Sequence, residues 1–140
     1  MAVEIEVVCQ GGLRCLATHG PSRQNLNTDA PVDNGGQGAA FSPTDLVATA
    51  LGACMGTIMD LVAKRNGINI AGLKIKVEKE MVADPVRRIG SIRTRFVFPP
   101  GLKLAAAERA KLEAAAKTCP VKQSLHPDVQ TGCEFVYQDP

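Results

Sequence analysis

Apolar and polar positions alternate with period two at both ends of the chain and with helical spacing in between. Val3 to Cys9 reads as a strand and Leu13 to Thr18 as its return, with Gln10-Gly11-Gly12 supplying the turn of a hairpin. Gln24 to Thr28 is a third strand candidate. It lies between Gly20-Pro21 and the turn-rich run from Asp29 to Gly38. Ser42-Pro43-Thr44-Asp45 is a helix start: Ser42 can cap, Pro43 loses no needed N–H at the first helical position, and Asp45 can complete a capping box. Asn66-Gly67 is the matching stop. Between them Leu46, Ala50, Cys54, Ile58 and Leu61 fall at helical spacing. Val47, Leu51, Met55, Met59 and Val62 cover much of the remaining circumference, which predicts a helix buried nearly all round.

Leu73 to Glu78 alternates again, Asp84-Pro85 turns the chain, and Ile89 to Phe98 returns as the second strand of another hairpin. Arg87, Arg88, Arg93 and Arg95 fit the charged outer face of that sheet, with Ile92, Thr94 and Phe96 facing inward. Leu104 to Lys117 reads as an alanine-rich helix with a Glu113 to Lys117 pair at i, i+4. Pro120 opens a short helix to about Leu125, and Val129 to Tyr137 is the final strand. The order of strands, helix, strands, helix, strand predicts an α+β fold: two antiparallel sheet segments around a long buried helix, in one domain over 1–140.

Composition narrows the partners. The 140 residues carry sixteen basic and fourteen acidic side chains, with no Trp, one Tyr and four Phe. A net charge of +2 gives little phosphate-driven affinity, and so few aromatics offer little base stacking, so no nucleic-acid partner is expected. The acidic start Met1 to Glu6 does not resemble a secretory signal, and the apolar stretch from Leu46 to Met59 is shorter than the ~20 residues of a membrane span. A cytoplasmic protein with no membrane contact is the expectation. Five cysteines at irregular spacing, with no C-x-x-C and two histidines, predict free thiols rather than a disulfide framework or a zinc site. The glycine-rich run from Gly35 to Gly38 matches neither a dinucleotide fingerprint nor a P-loop.

The chemistry therefore rests on the thiols. Cys9 and Cys15 sit symmetrically about Gly12, either facing each other across the hairpin or, as preferred here, acting as small buried hydrophobes. Cys54 is twelve residues past Ser42, too far from the helix N-terminus for the dipole to act on it, and by position alone reads as a core cysteine. Cys119 occupies the cap position before Pro120, where free backbone N–H groups favour a thiolate. Together the two form a possible peroxidatic and resolving pair.

Phe41-Ser42-Pro43-Thr44-Asp45-Leu46, Ala50-Leu51-Gly52-Ala53-Cys54-Met55 and Thr118-Cys119-Pro120-Val121 resemble the family of osmotically inducible protein C and the organic hydroperoxide resistance proteins. The resemblance covers nearly the whole chain. It implies an OsmC-like fold, an intertwined homodimer with active sites at the interface, and no cofactor or metal. Cys54 would attack an organic hydroperoxide to become a sulfenic acid, Cys119 would resolve it as a disulfide, and a dithiol reductant, such as a lipoyl group, would restore both. In the hydroperoxide resistance branch an Arg activates the cysteine and a Glu after the helix-start Pro holds that Arg. Here Thr44 stands at the Glu position and Asp45 follows it. Arg14 is the cation candidate, with Arg23 second, and His126 reads as a helix-end residue. A redox-sensing or ligand-binding dimer with little turnover and a structural subunit with incidental cysteines are the competing readings.

Overall fold

The computed structural model describes residues 1–139 and divides the chain into two compact units, Met1–Val47 and a second beginning at Ala48. The first unit is a three-stranded antiparallel sheet of β1 (Ile5–Gly11), β2 (Arg14–His19) and β3 (Asn25–Asp29), in that order. The turn is tighter than Gln10-Gly11-Gly12: Gly11, Gly12 and Leu13 all have φ near +65 to +81°, and the ladder slips by a residue between Cys9 and Gly11. Two of the three positions are glycine because only glycine adopts that backbone without steric cost. One sheet face carries Ile5, Val7 and Cys9 on β1, Cys15 and Ala17 on β2, and Leu26 and Thr28 on β3. Ile5 and Val7 are each 59% exposed and Leu26 44%, so this face is apolar yet uncovered within the chain. The loop that follows folds onto itself through Gly36 N–H to Pro31 O (3.0 Å) and Gly38 N–H to Ala30 O (3.2 Å). A side chain at position 36 would run into the Ala30 carbonyl, which is why glycine stands there.

Helix α1 (Pro43–Arg65) begins in the first unit and runs into the second. Its capping box is formed as the sequence implies: the Asp45 N–H donates to Ser42 Oγ (3.1 Å) and the Ser42 N–H to Asp45 Oδ2 (2.9 Å). Gly67, at φ +68°, donates to Lys64 O, and Ile68 to Ala63 O, the paired bonds of a Schellman stop. The expectation of burial all round is corrected. Ala48, Leu51, Gly52, Met55, Met59 and Ala63 make one buried stripe, while Ala53, Thr57 and Leu61 are exposed. At 23 residues α1 is also long and apolar enough to cross a membrane by length and composition, which the shorter stretch Leu46 to Met59 understated. Its buried stripe instead packs on a sheet of its own chain.

That sheet is β4 (Lys74–Val82), β5 (Arg88–Val97) and β6 (Cys133–Val136), in the order β4-β5-β6. It is not wholly antiparallel as expected: β6 pairs with β5 in parallel, because the connection through α2 (Ala106–Ala116) and α3 (Pro120–Ser124) returns the chain to the same end. Gly52 and Gly56 let α1 lie directly on β4. A Cβ at Gly52 would stand 2.7 Å from Val77 Cγ2, and one at Gly56 would collide with Ile75 Cδ1. Leu51, Met55, Met59, Ile92, Phe96, Phe98 and Leu112 are nearly or fully buried. Each contributes about 1.5–3 kcal/mol by burial, against about 0–1 kcal/mol for an exposed ion pair. The outer-face pairs of Arg93 with Glu80 (2.8 Å) and Glu78 (3.3 Å), and of Arg95 with Glu134 (3.5 Å), are therefore solvation more than support. They do place Arg93 and Arg95 on the charged face, with Ile92, Thr94 and Phe96 inward, as the alternation requires.

Helix α2 starts two residues later than Leu104, at the point where Glu108 accepts from the Ala105 N–H (2.8 Å). Glu113 does not serve the expected pair with Lys117. Its carboxylate accepts from the Tyr137 hydroxyl (2.7 Å), while Tyr137 stacks on Phe98 (4.5 Å) under the Arg109 guanidinium (4.1 Å). Burial, then the Glu113 carboxylate, push the Tyr137 hydroxyl well above its ordinary pKa.

Candidate active site

The second unit brings Cys54 and Cys119 together. Cys54 sits mid-way along α1, one residue before the buried Met55, whose sulfur lies 3.9 Å from Thr94 Oγ1. The glycines at 52 and 56 flank it and fix the depth of the helix against β4. Cys119 arrives from the opposite side of the sequence. α2 ends at Ala116, the Thr118 hydroxyl bonds back to Ala115 O (2.7 Å), and Cys119 becomes the cap of α3 ahead of Pro120. Its sulfur accepts the Lys122 N–H at 3.3 Å. Cys54 is a neighbour of Cys119, close enough to influence its thiol.

The two sulfurs differ in access. Cys54 is partly open to solvent and Cys119 is 0% exposed. Burial is the largest influence on Cys119 and raises its pKa above the ordinary thiol value, and the neighbouring Cys54 adds to the rise. The Lys122 and Val121 N–H groups pull the other way and do not prevail. The expectation that the cap position favours a Cys119 thiolate is thereby corrected: the helix start has only five residues behind it, and desolvation wins. Cys119 is a protonated thiol at neutral pH, held against a more accessible sulfur. This arrangement can close a disulfide after oxidation of Cys54, with Cys119 supplying the second sulfur.

The cation candidates lie in the first unit. Arg14 opens β2, where its Nη2 donates to Gln37 Oε1 (2.8 Å) and stands 3.7 Å from Asp29 Oδ2. Asp29 is its register partner on β3 and is 1% exposed. Its Oδ2 also accepts the Ala39 N–H (3.0 Å), while its Oδ1 has no hydrogen-bond partner. Asp29 was not singled out in the sequence, where it opens the turn-rich run from Asp29 to Gly38. The signal that finds it is register: once β2 and β3 pair, the acid opposite Arg14 is Asp29. Thr44, at the position where an acid would hold the arginine, shares a hydroxyl contact with Ser42 (3.2 Å), and Asp45 is used in the helix cap. Arg23 lies in the β2–β3 turn at φ +62°. His126 is exposed beyond α3, with Nδ1 accepting the Asp128 N–H (3.0 Å), a helix-end role as expected. Cys133 is half-buried on β6 beside Thr94. Cys9 and Cys15 are not buried hydrophobes. They are register partners with sulfurs 3.8 Å apart, Cys9 exposed and Cys15 half-exposed. Among the described residues no group of three His, Cys, Asp or Glu side chains could hold a metal ion.

Similarity to known proteins bears on the whole of this architecture. Among curated proteins none matches the chain significantly. A crystal structure of a candidate osmotic stress induced and detoxification response protein from Psychrobacter arcticus is 41% identical, with a TM-score of 0.90 over 96% of both chains. An organic hydroperoxide resistance protein OsmC from Legionella pneumophila shares the fold at 18% identity, with a TM-score of 0.76 over 97% of both chains. The organic hydroperoxide resistance protein OhrB of Bacillus subtilis shares it at 20% identity, with a TM-score of 0.68 over 96% of this chain and 98% of that one. The family model for OsmC-like proteins matches residues 35–134, a span that includes both Cys54 and Cys119, and the chain belongs to the OsmC-like family.

Proposed function

We propose that the protein is a thiol-dependent peroxidase for organic hydroperoxides, with Cys54 as the attacking and Cys119 as the resolving cysteine. One observation supports the assignment above the others: a half-exposed Cys54 neighbouring a wholly buried Cys119. A peroxide reaches only the first of these sulfurs. The Cys54 thiolate attacks the O–O bond, one oxygen stays as the sulfenic acid, and the alcohol leaves with a proton. Cys119 then attacks the sulfenic sulfur, its proton leaves with the hydroxyl as water, and a disulfide forms. A dithiol reductant, of lipoyl type in this reading, exchanges with that disulfide and restores both thiols. This reading gives the Cys54 thiolate an arginine as its cation, with Arg14, itself held by Asp29 and Gln37, as the candidate. Asp29 takes over the arginine-holding task that Thr44 is unable to perform.

The same reading makes the protein a cytoplasmic homodimer. Ile5, Val7 and Leu26 on the first sheet, and Leu61 on α1, are apolar and uncovered in a single chain, and a second copy is the occupant that the proposal assigns to them. Sedimentation at micromolar concentration should show two chains, and a stable monomer would sink this part. The chemistry is tested by mass spectrometry after one equivalent of an organic hydroperoxide. Tryptic peptides 24–64 and 118–122 should appear joined through Cys54 and Cys119. Oxidation without turnover in the presence of a dithiol would instead favour a redox sensor.

A further inference from the structure

Tyr137, the residue that follows β6, is gripped by three side chains of the second unit. Its ring stacks on Phe98, with 4.5 Å between centroids and 9° between planes, and the Arg109 guanidinium lies over it at 4.1 Å. Its hydroxyl donates to Glu113 Oε2 at 2.7 Å. The next two residues fasten the same stretch: Arg109 Nη2 donates to Asp139 Oδ1 (2.6 Å) and Gln138 Nε2 to Phe98 O (2.7 Å). Arg109 and Glu113 are one helical turn apart, so a single stripe of α2 holds the segment after β6.

The contacts of α2 divide two tasks. Leu112 and Ala116, both 0% exposed, hold the helix down through apolar contact, which is non-directional and leaves its position along its own axis open. A hydrogen bond is short and directional, and the one from Tyr137 to Glu113 fixes that axial position. Burial, and then Glu113, raise the hydroxyl pKa, so the group stays a donor across the working pH range. From Glu113 the chain runs to Cys119 with little slack. The Lys117 N–H donates to Ala114 O (3.2 Å), the Thr118 N–H and hydroxyl both donate to Ala115 O (3.0 and 2.7 Å), and Cys119 is already the cap of α3. An axial shift of α2 is therefore carried to the Cys119 sulfur.

We propose that Tyr137 is a positioning residue for the resolving cysteine: through Glu113 it fixes α2 along its axis and so sets Cys119 against Cys54. The inference rests on the peroxidase reading, because it concerns the step in which the Cys54–Cys119 disulfide closes. That step is demanding in geometry. A disulfide needs Cβ atoms about 3.5–4.5 Å apart, and a misplacement of about 1 Å can slow a reaction on the order of a hundredfold. Cys54 is carried by α1, so its own attack on a peroxide should not depend on the Tyr137 hydroxyl.

The test is Tyr137→Phe in the full chain, which keeps the ring and removes only the hydroxyl. After one equivalent of an organic hydroperoxide, trapping with dimedone follows the Cys54 sulfenic acid and mass spectrometry of the joined peptides follows the disulfide. The variant should oxidise Cys54 at the unaltered rate and close the disulfide about tenfold more slowly. Glu113→Ala should reproduce the delay, Glu113→Gln, which still offers an acceptor oxygen, should close near the unaltered rate, and Tyr137→Phe combined with Glu113→Ala should be no slower than either alone. A purely structural role would slow both steps together or neither, and either result overturns the proposal. Should Tyr137→Phe fail to fold, Glu113→Ala against Glu113→Gln makes the same comparison. If the unaltered protein leaves the peroxide untouched, the peroxidase reading fails. Closure driven by diamide, a dithiol oxidant, then still compares the variants, and equal closure rates would overturn the role of Tyr137.

Discussion

The chain holds two cysteine pairs whose surroundings are nearly opposite. Cys9 and Cys15 meet across a hairpin, six positions of local chain apart, both in touch with solvent in the single chain. Cys54 and Cys119 are 65 residues apart, brought together by a helix laid on a sheet and by a second helix that ends at a cap. In the first pair each sulfur's neighbour is chiefly the other sulfur. In the second, burial sets the state of Cys119 before Cys54 does. Proximity of two thiols is thus common to both, and what separates them is access: both members of the first pair meet solvent in the single chain, whereas in the second one sulfur is open and the other wholly buried.

The largest effect expected follows from that asymmetry. Cys54→Ser should abolish peroxide consumption, while Cys119→Ser should permit a single attack and then accumulate sulfinic acid at Cys54. Cys9→Ser and Cys15→Ser should leave turnover intact, and loss of activity in either would erase the distinction between the pairs. Next in size is Arg14→Ala. Charge-assisted contacts contribute roughly 1.5–3 kcal/mol, so the peroxide step should slow about ten- to a hundredfold, with Arg14→Lys intermediate. Asp29→Asn should share part of the loss if Asp29 holds Arg14. An unchanged rate in Arg14→Ala moves the cation to Arg23.

Packing behind Cys54 gives a smaller effect. A methyl at Gly52 meets Val77 Cγ2 at 2.7 Å, and the branched valine has little room to turn away. Gly52→Ala should cost about 1–3 kcal/mol and lower Tm by several degrees, and it should slow formation of the Cys54–Cys119 disulfide. The smallest effect is a pH dependence. Because the folded state raises the Cys119 pKa above 9.0, it retains a proton that the unfolded chain has begun to lose. The stability this provides is complete below the unfolded pKa and declines as pH rises from there through the folded value. Urea midpoints between neutral and strongly alkaline pH should therefore fall less steeply in Cys119→Ser. Tyr137, also raised, contributes to the alkaline fall in both proteins.

Most of the local structure was legible from short-range signals. Ser42, Pro43 and Asp45 mark one end of α1 and Asn66-Gly67 the other, because caps are built from neighbouring residues. The hairpins were legible for the same reason. The parallel pairing of β6, the diversion of Glu113 to Tyr137 and the single buried stripe on α1 were not, since each depends on partners distant in sequence. The site divides along the same line. Cys54 and Cys119 stand in recognisable motifs, whereas Asp29 acquires meaning only from the strand register that sets it opposite Arg14. The protonated state of Cys119 was misread because the cap geometry is visible in the sequence and the burial is not.

The sulfur of Cys119 is also the acceptor that caps α3, and the two tasks compete for one atom. A disulfide to Cys54 would draw that atom toward a new partner and should weaken the bond it accepts from the Lys122 amide. The backbone would then keep a record of the sulfur's redox history. Hydrogen exchange at Lys122 should quicken in the oxidised protein and slow again on reduction, giving an amide clock for the thiol that needs no label and no substrate.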